Sequence, residues 1–249
     1  MMMLGHRPNI LWRSIMRFHH YFQLLVGICL LLGSSLSQAA LQLSATRLVV
    51  GEGEREASLV ARNRGDSDIL IQSWLSRPGS DTPPPFAISP ALAKLAGGKQ
   101  QLLRIFAQGN ELPADRESLF RLNVQEIPQQ AEGNHLQLAV MQSIKLFYRP
   151  KGLPASANAA PKELQLSLSG QQLQLSNPTP YHINLTKLAQ GEKTWEVEML
   201  APFSEARVSA AGLDESQPLT LQVINDYGAE KRWRFARAGA EPWRFAQVE

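Results

Sequence analysis

The sequence contains almost no cysteine. The single one among its 249 residues, Cys29, lies in an apolar segment near the N-terminus. The rest of the chain must therefore fold by burial of apolar side chains, without help from disulfides. Histidine is also scarce, and only His135 and His182 occur beyond residue 39. A lone histidine without a second ligand or a carboxylate partner is a poor candidate for metal binding or catalysis, so we predict no metal site.

Sequence motifs of enzymes are missing as well. The chain has no G-x-S-x-G, no H-E-x-x-H and no complete phosphate-binding loop. The stretch GEGERE (51–56) begins like such a loop but lacks its last glycine, and we interpret it as a β-turn. We therefore expect no cofactor, no nucleotide and no enzymatic activity, and a secreted hydrolase is the least favoured hypothesis.

The first 39 residues have the three parts of a secretory signal peptide. Arg7, Arg13 and Arg17 supply positive charge, and the apolar run FQLLVGICLLLG (22–33) is too short to span a bilayer. Ser37 and Ala39 then occupy the small-residue positions that precede a cleavage site. We predict cleavage after Ala39. A start at a later methionine such as Met16 and an uncleaved anchor remain alternatives.

Loss of residues 1–39 changes the charge balance. The chain has 25 basic and 22 acidic residues, and three arginines but no acidic residue lie in the signal, so 22 of each sign remain. This near-neutral balance excludes the broad positive field that nucleic-acid binding uses. Export without disulfides favours a bacterial periplasm, with no membrane insertion after cleavage.

The remainder of the chain predicts an all-β fold. Short β-like segments alternate with turn residues, and the small-residue stretch KGLPASANAAP (151–161) resembles a linker between two blocks of strands. We predict two tandem β-sandwich domains, at 40–152 and 153–249. The segments in the first block are 41–50, 57–65, 69–76, 100–109 and 118–127, followed by a strand in 136–150. In the second block they are 164–170, 172–180, 181–189, 194–200, 206–210, 219–228 and 231–238.

Two charges lie in apolar strands of the first block. If residues 41–50 form one strand, Arg47 shares a face with Leu41, Leu43 and Val49. Lys145 lies between two apolar residues in the last strand of the block. Each charge either binds an anion or protects a sheet edge against aggregation, and the residue pattern alone favours the edge interpretation. The same last strand alternates, with Leu136, Leu138 and Val140 on one face.

Five segments strongly resemble the periplasmic chaperones of the chaperone–usher pathway of pilus assembly. The segments DRESLF…LNV…IP and IKLFYRP are the most specific, and the order of the matches covers nearly all of the chain beyond residue 39. The five segments are LPADRESLFRLNVQEIP (112–128), LQLAVMQSIKLFYRP (136–150), LSNPTPYHINL (175–185), APFSEARV (201–208) and INDYG (224–228).

The resemblance implies two immunoglobulin-like domains set at an angle, with a cleft between them. It also implies two partners, a pilus or fimbrial subunit and an outer-membrane usher. The subunit is a sandwich that lacks one strand, and the chaperone completes it by donor-strand complementation. By position, Leu136, Leu138 and Val140 are the donated row that fills the subunit's groove.

The resemblance also implies roles for five charged residues. Arg47 and Lys145 would bind the C-terminal carboxylate of the subunit, and Glu117, Arg149 and Asp226 would form an ion network between the domains. In the first of these roles the two cations anchor the client and set the register of the donated row. Ordinary surface pairing is the alternative for the network.

Some features depart from the family or stay open. The stretch LVVGEGERE (48–56) lacks the aromatic residue and proline often found there, and the tail EPWRFAQVE (241–249) has no assigned counterpart. The short loop PQQAEGN (128–134) is typical of chaperones that serve rod-like pili. The alternative function is a secreted structural or adhesive protein on the same two domains.

Overall fold

The computed structural model describes residues 41–108, 112–127, 138–154, 156–237 and 242–248. These residues form β-strands and one 3-10 helix, Ala160–Glu163, and the prediction of an all-β fold with two sandwiches is confirmed. In this part of the chain no helix has the length and apolar character that crossing a membrane requires. The predicted signal peptide lies outside the described residues.

The first sandwich is built from two sheets, with strand orders β1-β3-β7-β5 and β2-β9-β8-β4-β6. Alternate side chains of both sheets meet in one core that includes Leu59, Leu103, Phe120 and Leu146. The sequence did not predict β5 and β6, which follow the proline-containing loop. The strands are β1 (Leu41–Leu43), β2 (Arg47–Gly51), β3 (Ala57–Asn63), β4 (Ile69–Ser76), β5 (Phe86–Ser89), β6 (Leu92–Leu95), β7 (Gln100–Ala107), β8 (Ser118–Ile127) and β9 (Met141–Arg149).

The prediction of a single strand over 41–50 is wrong. The chain changes sheets after β1, which pairs antiparallel with β3, and β2 then pairs in parallel with β9. The crossing resets the alternation of side chains, so Arg47 does not share a face with Leu41. In β2 the core-facing residue is Val50, which is fully buried, and Arg47 lies on the opposite face, where it contacts the second sandwich.

The second sandwich has its own core, separate from the first. Its sheets have the orders β10-β11-β14 and β13-β12-β15-β16-β17. The unassigned tail contributes to this fold, because β17 pairs with β16 and Trp243 is 1% exposed within the core. The strands are β10 (Gln165–Ser169), β11 (Gln172–Ser176), β12 (Leu185–Gln190), β13 (Lys193–Glu196), β14 (Glu205–Ser209), β15 (Leu219–Ile224), β16 (Glu230–Ala236) and β17 (Arg244–Val248).

Candidate functional site

Arg47 and Lys145, called here the basic pair, lie beside each other where the two sandwiches meet. They are directly opposite in the parallel register of β2 and β9. The Arg47 Nη1 atom donates a hydrogen bond to the backbone oxygen of Ile224, at 3.3 Å. The Lys145 Nζ atom donates to Oδ1 of Asn184, at 2.7 Å. Both acceptors belong to the second sandwich, so the basic pair of the first sandwich is held against uncharged groups of the second.

The position of the basic pair does not match that of a protective charge on a sheet edge. Strand β9 lies between β2 and β8, so Lys145 is in the interior of its sheet. Arg47 is on the edge strand β2, yet it is only 8% exposed and is covered by the second sandwich. Because Arg47 is hydrogen-bonded to the second sandwich, its charge is not presented to the strand edge of another chain.

Burial and positive neighbours make the charged forms of the basic pair costly. Burial lowers the pKa of Arg47, and the nearby carboxylate of Asp226 opposes this effect. Burial also lowers the pKa of Lys145, and the positive charges of Arg47 and Arg121 lower it further. Among the described residues neither member of the pair forms an ion pair with a carboxylate. An incoming anion would be stabilised at this place.

Arg121 is a third cation on the same face, and it was not among the residues predicted from the sequence. It lies on β8 directly opposite Lys145, so Arg47, Lys145 and Arg121 form a row across three neighbouring strands. Lys145 was noticed because it is a charge between two apolar residues of a strand. Arg121 has the same pattern, since it lies between the buried residues Phe120 and Leu122. The row makes the junction more positive than the two predicted residues alone.

Two buried hydrogen-bond donors at the junction have no partner within the described ranges. They are the Nε atom of Arg47 and the Nδ2 atom of Asn184, whose residues are 8% and 4% exposed. An unsatisfied buried donor costs about 1–3 kcal/mol, and native proteins rarely retain one without a reason. Asn184 accepts a hydrogen bond from the ammonium group of Lys145, and Arg47 is paired with Lys145 in the strand register. Together these groups match the chemistry of a carboxylate.

Arg149 connects three elements at the same junction. Its Nε atom donates to Oε1 of Glu117 at 2.7 Å, and its Nη1 and Nη2 atoms donate to the two carboxylate oxygens of Asp226, at 2.9 and 3.1 Å. Burial lowers the pKa of Arg149, but the hydrogen bonds and charges of Asp226 and Glu117 outweigh it, so the pKa lies above its ordinary value. Glu117 belongs to the first sandwich and Asp226 to the second.

His182, which the sequence did not single out as a site residue, also contacts this group. Its backbone N–H donates to Oε2 of Glu117 at 2.8 Å, and its ring Nδ1 lies 3.2 Å from the same oxygen. Its ring packs beside Phe147 of β9, with the ring centroids 5.4 Å apart. Glu117 thus receives donors from both sandwiches. No local pattern could indicate this contact, since His182 and Glu117 are 65 residues apart.

Two tight turns present these side chains. In the segment NPTPY the Asn177 side chain accepts from the N–H of Thr179 and donates to the carbonyl of Tyr181, which fixes the loop ahead of His182. In INDYG the Asn225 side chain accepts from two backbone N–H groups and closes the turn that carries Asp226. Gly228 in this turn has φ of +83°, and a Cβ there would lie 2.7 Å from Oγ1 of Thr46. The close approach of the two sandwiches therefore requires glycine.

The predicted apolar row is only partly described. Leu136 lies outside the described residues. Leu138 and Val140 precede β9, which begins at Met141 and not at the predicted position, and they are 74% and 48% exposed. Their even numbering matches Ile144, whose side chain faces the core of the first sandwich. Leu138 and Val140 therefore have the same parity as the core-facing residues of β9 and precede that strand.

The backbone beside the apolar row has an open edge. On one side, β8 continues the ladder as far as a hydrogen bond from Glu126 N to the carbonyl of Val140, at 3.0 Å. On the other side, β2 pairs with β9 only from Lys145 onward. Within the described residues, 138–144 thus have no strand on that side. An exposed apolar row next to an open strand edge is the arrangement that strand addition uses.

Metal-binding clusters are not found in the described parts of the chain, where no group of three or more His, Cys, Asp or Glu side chains is arranged to hold an ion. The chemistry that the junction offers is anion binding by cations and neutral donors, followed along β9 by an open edge and exposed apolar side chains.

Family models match both halves of the chain. Residues 40–154 match the N-terminal domain of the pili and flagellar-assembly chaperone PapD, and residues 159–235 match the PapD C-terminal domain. The second match ends before β17, so the strand formed by the tail lies beyond it.

Curated relatives and solved structures agree with these models. The probable fimbrial chaperone protein ElfD of Escherichia coli K12 is 42% identical over 192 residues, which is 76% of this chain and 82% of ElfD. The chaperone protein FimC of the same strain is 36% identical over 217 residues, 84% of this chain and 90% of FimC.

Two solved structures show the likeness of fold. The periplasmic chaperone SfaE is 36% identical, with a TM-score of 0.69 over 78% of this chain and 98% of SfaE. A chain of the Salmonella enterica complex between the SafA pilin and the SafB chaperone is 27% identical, with a TM-score of 0.74 over 82% of this chain and 99% of the matched chain.

Proposed function

Because the chain belongs to the family of pilus-assembly chaperones, we propose that it binds a pilus subunit by donor-strand complementation, keeps it folded and delivers it to an outer-membrane usher. The proposed action is binding and not catalysis. A structural or adhesive role on the same two domains finds no support among the relatives, whose names are those of chaperones. The relative SafB occurs in complex with a pilin, which is the type of client proposed here.

The observation that supports the proposal best is the basic pair together with the unpartnered donor on Arg47. The two cations lie on adjacent strands, and each now donates to an uncharged acceptor. One carboxylate would be a better partner for both, because it is negatively charged. We propose that the C-terminal carboxylate of the subunit binds Arg47 and Lys145 with charge-assisted hydrogen bonds.

The apolar row supplies the second half of the proposal. A subunit strand that pairs with the open edge at 138–144 would satisfy backbone groups on both chains. Leu136, Leu138 and Val140 would then fill the groove left by the subunit's missing strand, because a groove receives every second side chain of an inserted strand. The anchor would fix the register, since a shift by one residue would turn the row away from the groove.

The ion network of Glu117, Arg149 and Asp226 would hold the two sandwiches in the arrangement that the anchor needs. Replacing Arg149 with alanine leaves Glu117 and Asp226 without their shared cation, and we expect a loss of about 1–3 kcal/mol of stability. Small-angle scattering should also show a wider distribution of distances between the sandwiches.

The matched control for this prediction is Arg104→Ala, which removes an exposed arginine paired with Glu56 within the first sandwich. An exposed pair contributes about 0–1 kcal/mol, so this variant should melt and scatter like the unmodified protein. If Arg149→Ala also leaves the scattering profile and subunit binding unchanged, the network is an ordinary surface pairing.

The lowered pKa of Lys145 predicts how binding depends on pH. A bound carboxylate would raise this pKa toward its ordinary value, so binding takes up a proton. Affinity for the subunit should be constant below the pKa of the free chaperone and should fall as the pH rises through it, by up to about tenfold per pH unit. Stability of the free chain changes in the opposite direction, since a lysine whose pKa is lowered by folding favours the folded state as the pH rises.

The variant Lys145→Arg is the control for the pH dependence. Arginine stays protonated throughout this range, so the decline in affinity should disappear even if the overall affinity changes. Titration calorimetry with the purified subunit gives the affinities of the unmodified chaperone and of Lys145→Arg. The titrations run from pH 7 to the highest pH at which the subunit stays folded. A decline that is equally steep in Lys145→Arg would show that another group titrates.

The periplasm is the proposed site of action, with residues 1–39 removed and with client-binding and C-terminal domains at 40–152 and 153–249. We expect tagged protein recovered from the periplasm to start near Ala40, to lack Cys29 and to carry a pilus subunit, all of which mass spectrometry reports. Recovery of chains that retain Cys29 would contradict the proposed export. Recovery of exported protein that never carries a subunit, even when one is co-expressed, would contradict the chaperone function.

A further inference from the structure

Asn184 connects the second sandwich to the basic pair of the first. Its Oδ1 atom accepts the hydrogen bond from Lys145, and its backbone oxygen accepts one from the N–H of Ile224, at 3.0 Å. The carbonyl of Ile224 in turn accepts from Arg47. Lys145, Asn184, Ile224 and Arg47 therefore form a continuous chain of contacts across the junction.

The orientation of the Asn184 amide is set by chemistry. A protonated lysine only donates, so the amide oxygen and not the amide nitrogen must face Nζ of Lys145. The amide nitrogen Nδ2 then lies on the same planar group, next to the lysine, with two protons to donate. It is buried, and among the described residues it has no acceptor.

The residue Asn184 also borders open space, although its Nδ2 atom is itself buried. Asn184 is among the residues that line a pocket of about 440 Å³ at the second sandwich, together with Asp226 and Ile224. Two cations, Arg47 and Lys145, lie close to Asn184. The Nε atom of Arg47, which has no partner among the described residues, is a second available donor. The two unpartnered groups, Nδ2 of Asn184 and Nε of Arg47, are both donors. Together with the two cations they favour a negatively charged acceptor.

We infer that Asn184 is a third ligand of the client's C-terminal carboxylate, donating from Nδ2 while its Oδ1 positions Lys145. The inference rests on the proposed function and extends it, because the binding site becomes a composite of both sandwiches. A carboxylate has two oxygens and accepts several hydrogen bonds, so it can receive donors from Arg47, Lys145 and Asn184 together. Binding of the client terminus then links the two sandwiches directly.

The test uses a synthetic peptide that copies the C-terminal strand of the co-purified subunit, made once with a free carboxylate and once with an amidated end. For the unmodified chaperone we expect the amide to bind much more weakly than the acid. The variant Asn184→Asp replaces the donor with a second carboxylate beside Lys145, and it should weaken binding of the acid peptide roughly 10-fold to 100-fold while barely affecting the amide.

Asn225→Asp is the matched control, since it adds the same charge in the neighbouring turn. The Asn225 side chain accepts from the N–H groups of Tyr227 and Ala229, a role that aspartate keeps. It should leave the preference for the acid peptide nearly unchanged. Circular dichroism and the melting temperature check that both variants fold.

A measurement without substitution guards against misfolded variants. In the nuclear magnetic resonance spectrum of the unmodified protein, the side-chain amide signal of Asn184 should shift when the acid peptide is added and stay in place with the amidated peptide. The role of Asn184 would be overturned if its signal shifted with neither peptide, or if Asn184→Asp still preferred the acid peptide. Neither outcome would contradict the carboxylate anchor itself. Equal binding of acid and amide by the unmodified chaperone would instead overturn the proposed carboxylate anchor.

Discussion

Replacing Arg47 or Lys145 with alanine is expected to weaken binding of the pilus subunit by about 2–5 kcal/mol, the range observed when one partner of a buried charged contact is removed. Each substitution deletes a charge-assisted hydrogen bond to the proposed carboxylate and leaves the remaining charge less well paired. Titration calorimetry or competition binding with the purified subunit gives the loss directly.

The same substitutions should change the stability of the free chain much less. Arg47 is buried without a carboxylate partner within the described residues, and burial already disfavours its charge, so its removal relieves part of that cost. Lys99→Ala removes an exposed positive charge of the first sandwich and serves as the control. Binding at unmodified affinity in both Arg47→Ala and Lys145→Ala would exclude the carboxylate anchor.

Charging the apolar row is expected to have an effect at least as large. Leu138→Glu would place an unpaired carboxylate in the apolar groove of the subunit, at a cost of several kcal/mol. The free chain should tolerate the change, because Leu138 is 74% exposed. Affinity for the subunit is the measurement, with the fold checked by circular dichroism.

The neighbouring variant Ala139→Glu makes this test specific. Ala139 is also exposed, but along an extended strand its side chain points away from the face of Leu138. Glutamate at 139 should therefore cost much less than glutamate at 138. Equal losses at the two positions would mean that the strand is not recognised with a period of two, and donor-strand complementation would have to be given up for this protein.

Several elements were predictable because their signals are local. The segments 69–76 and 118–127 alternate or are rich in branched residues, and they form β4 and β8 with the predicted bounds. The prediction of two sandwiches is confirmed by two separate cores. The specific segments around Glu117, Lys145 and Asp226 identified the family, which the family models confirm.

Other elements were missed because their causes are not local. The alternation in residues 41–50 predicted one strand, but pairing partners in two different sheets divide it into β1 and β2. The tail had no assigned counterpart in the family, yet Trp243 fills the second core and β17 extends its sheet. The long-range contacts here are those of β2 with β9 and of Trp243 with Leu166, and each joins residues that are far apart in sequence.

The sequence by itself determined that this chain is an all-β protein of two sandwiches and that Arg47 and Lys145 are charges needing an explanation. Periodicity and turn residues act over a few neighbouring positions, so they are visible in one dimension. Only the tertiary structure decided what surrounds those charges: that Arg47 faces Ile224, that Asn184 and Arg121 join the basic pair, and that His182 contacts Glu117. These contacts arise where two separate cores meet, and the partners of a charge at such a junction depend on the packing of both.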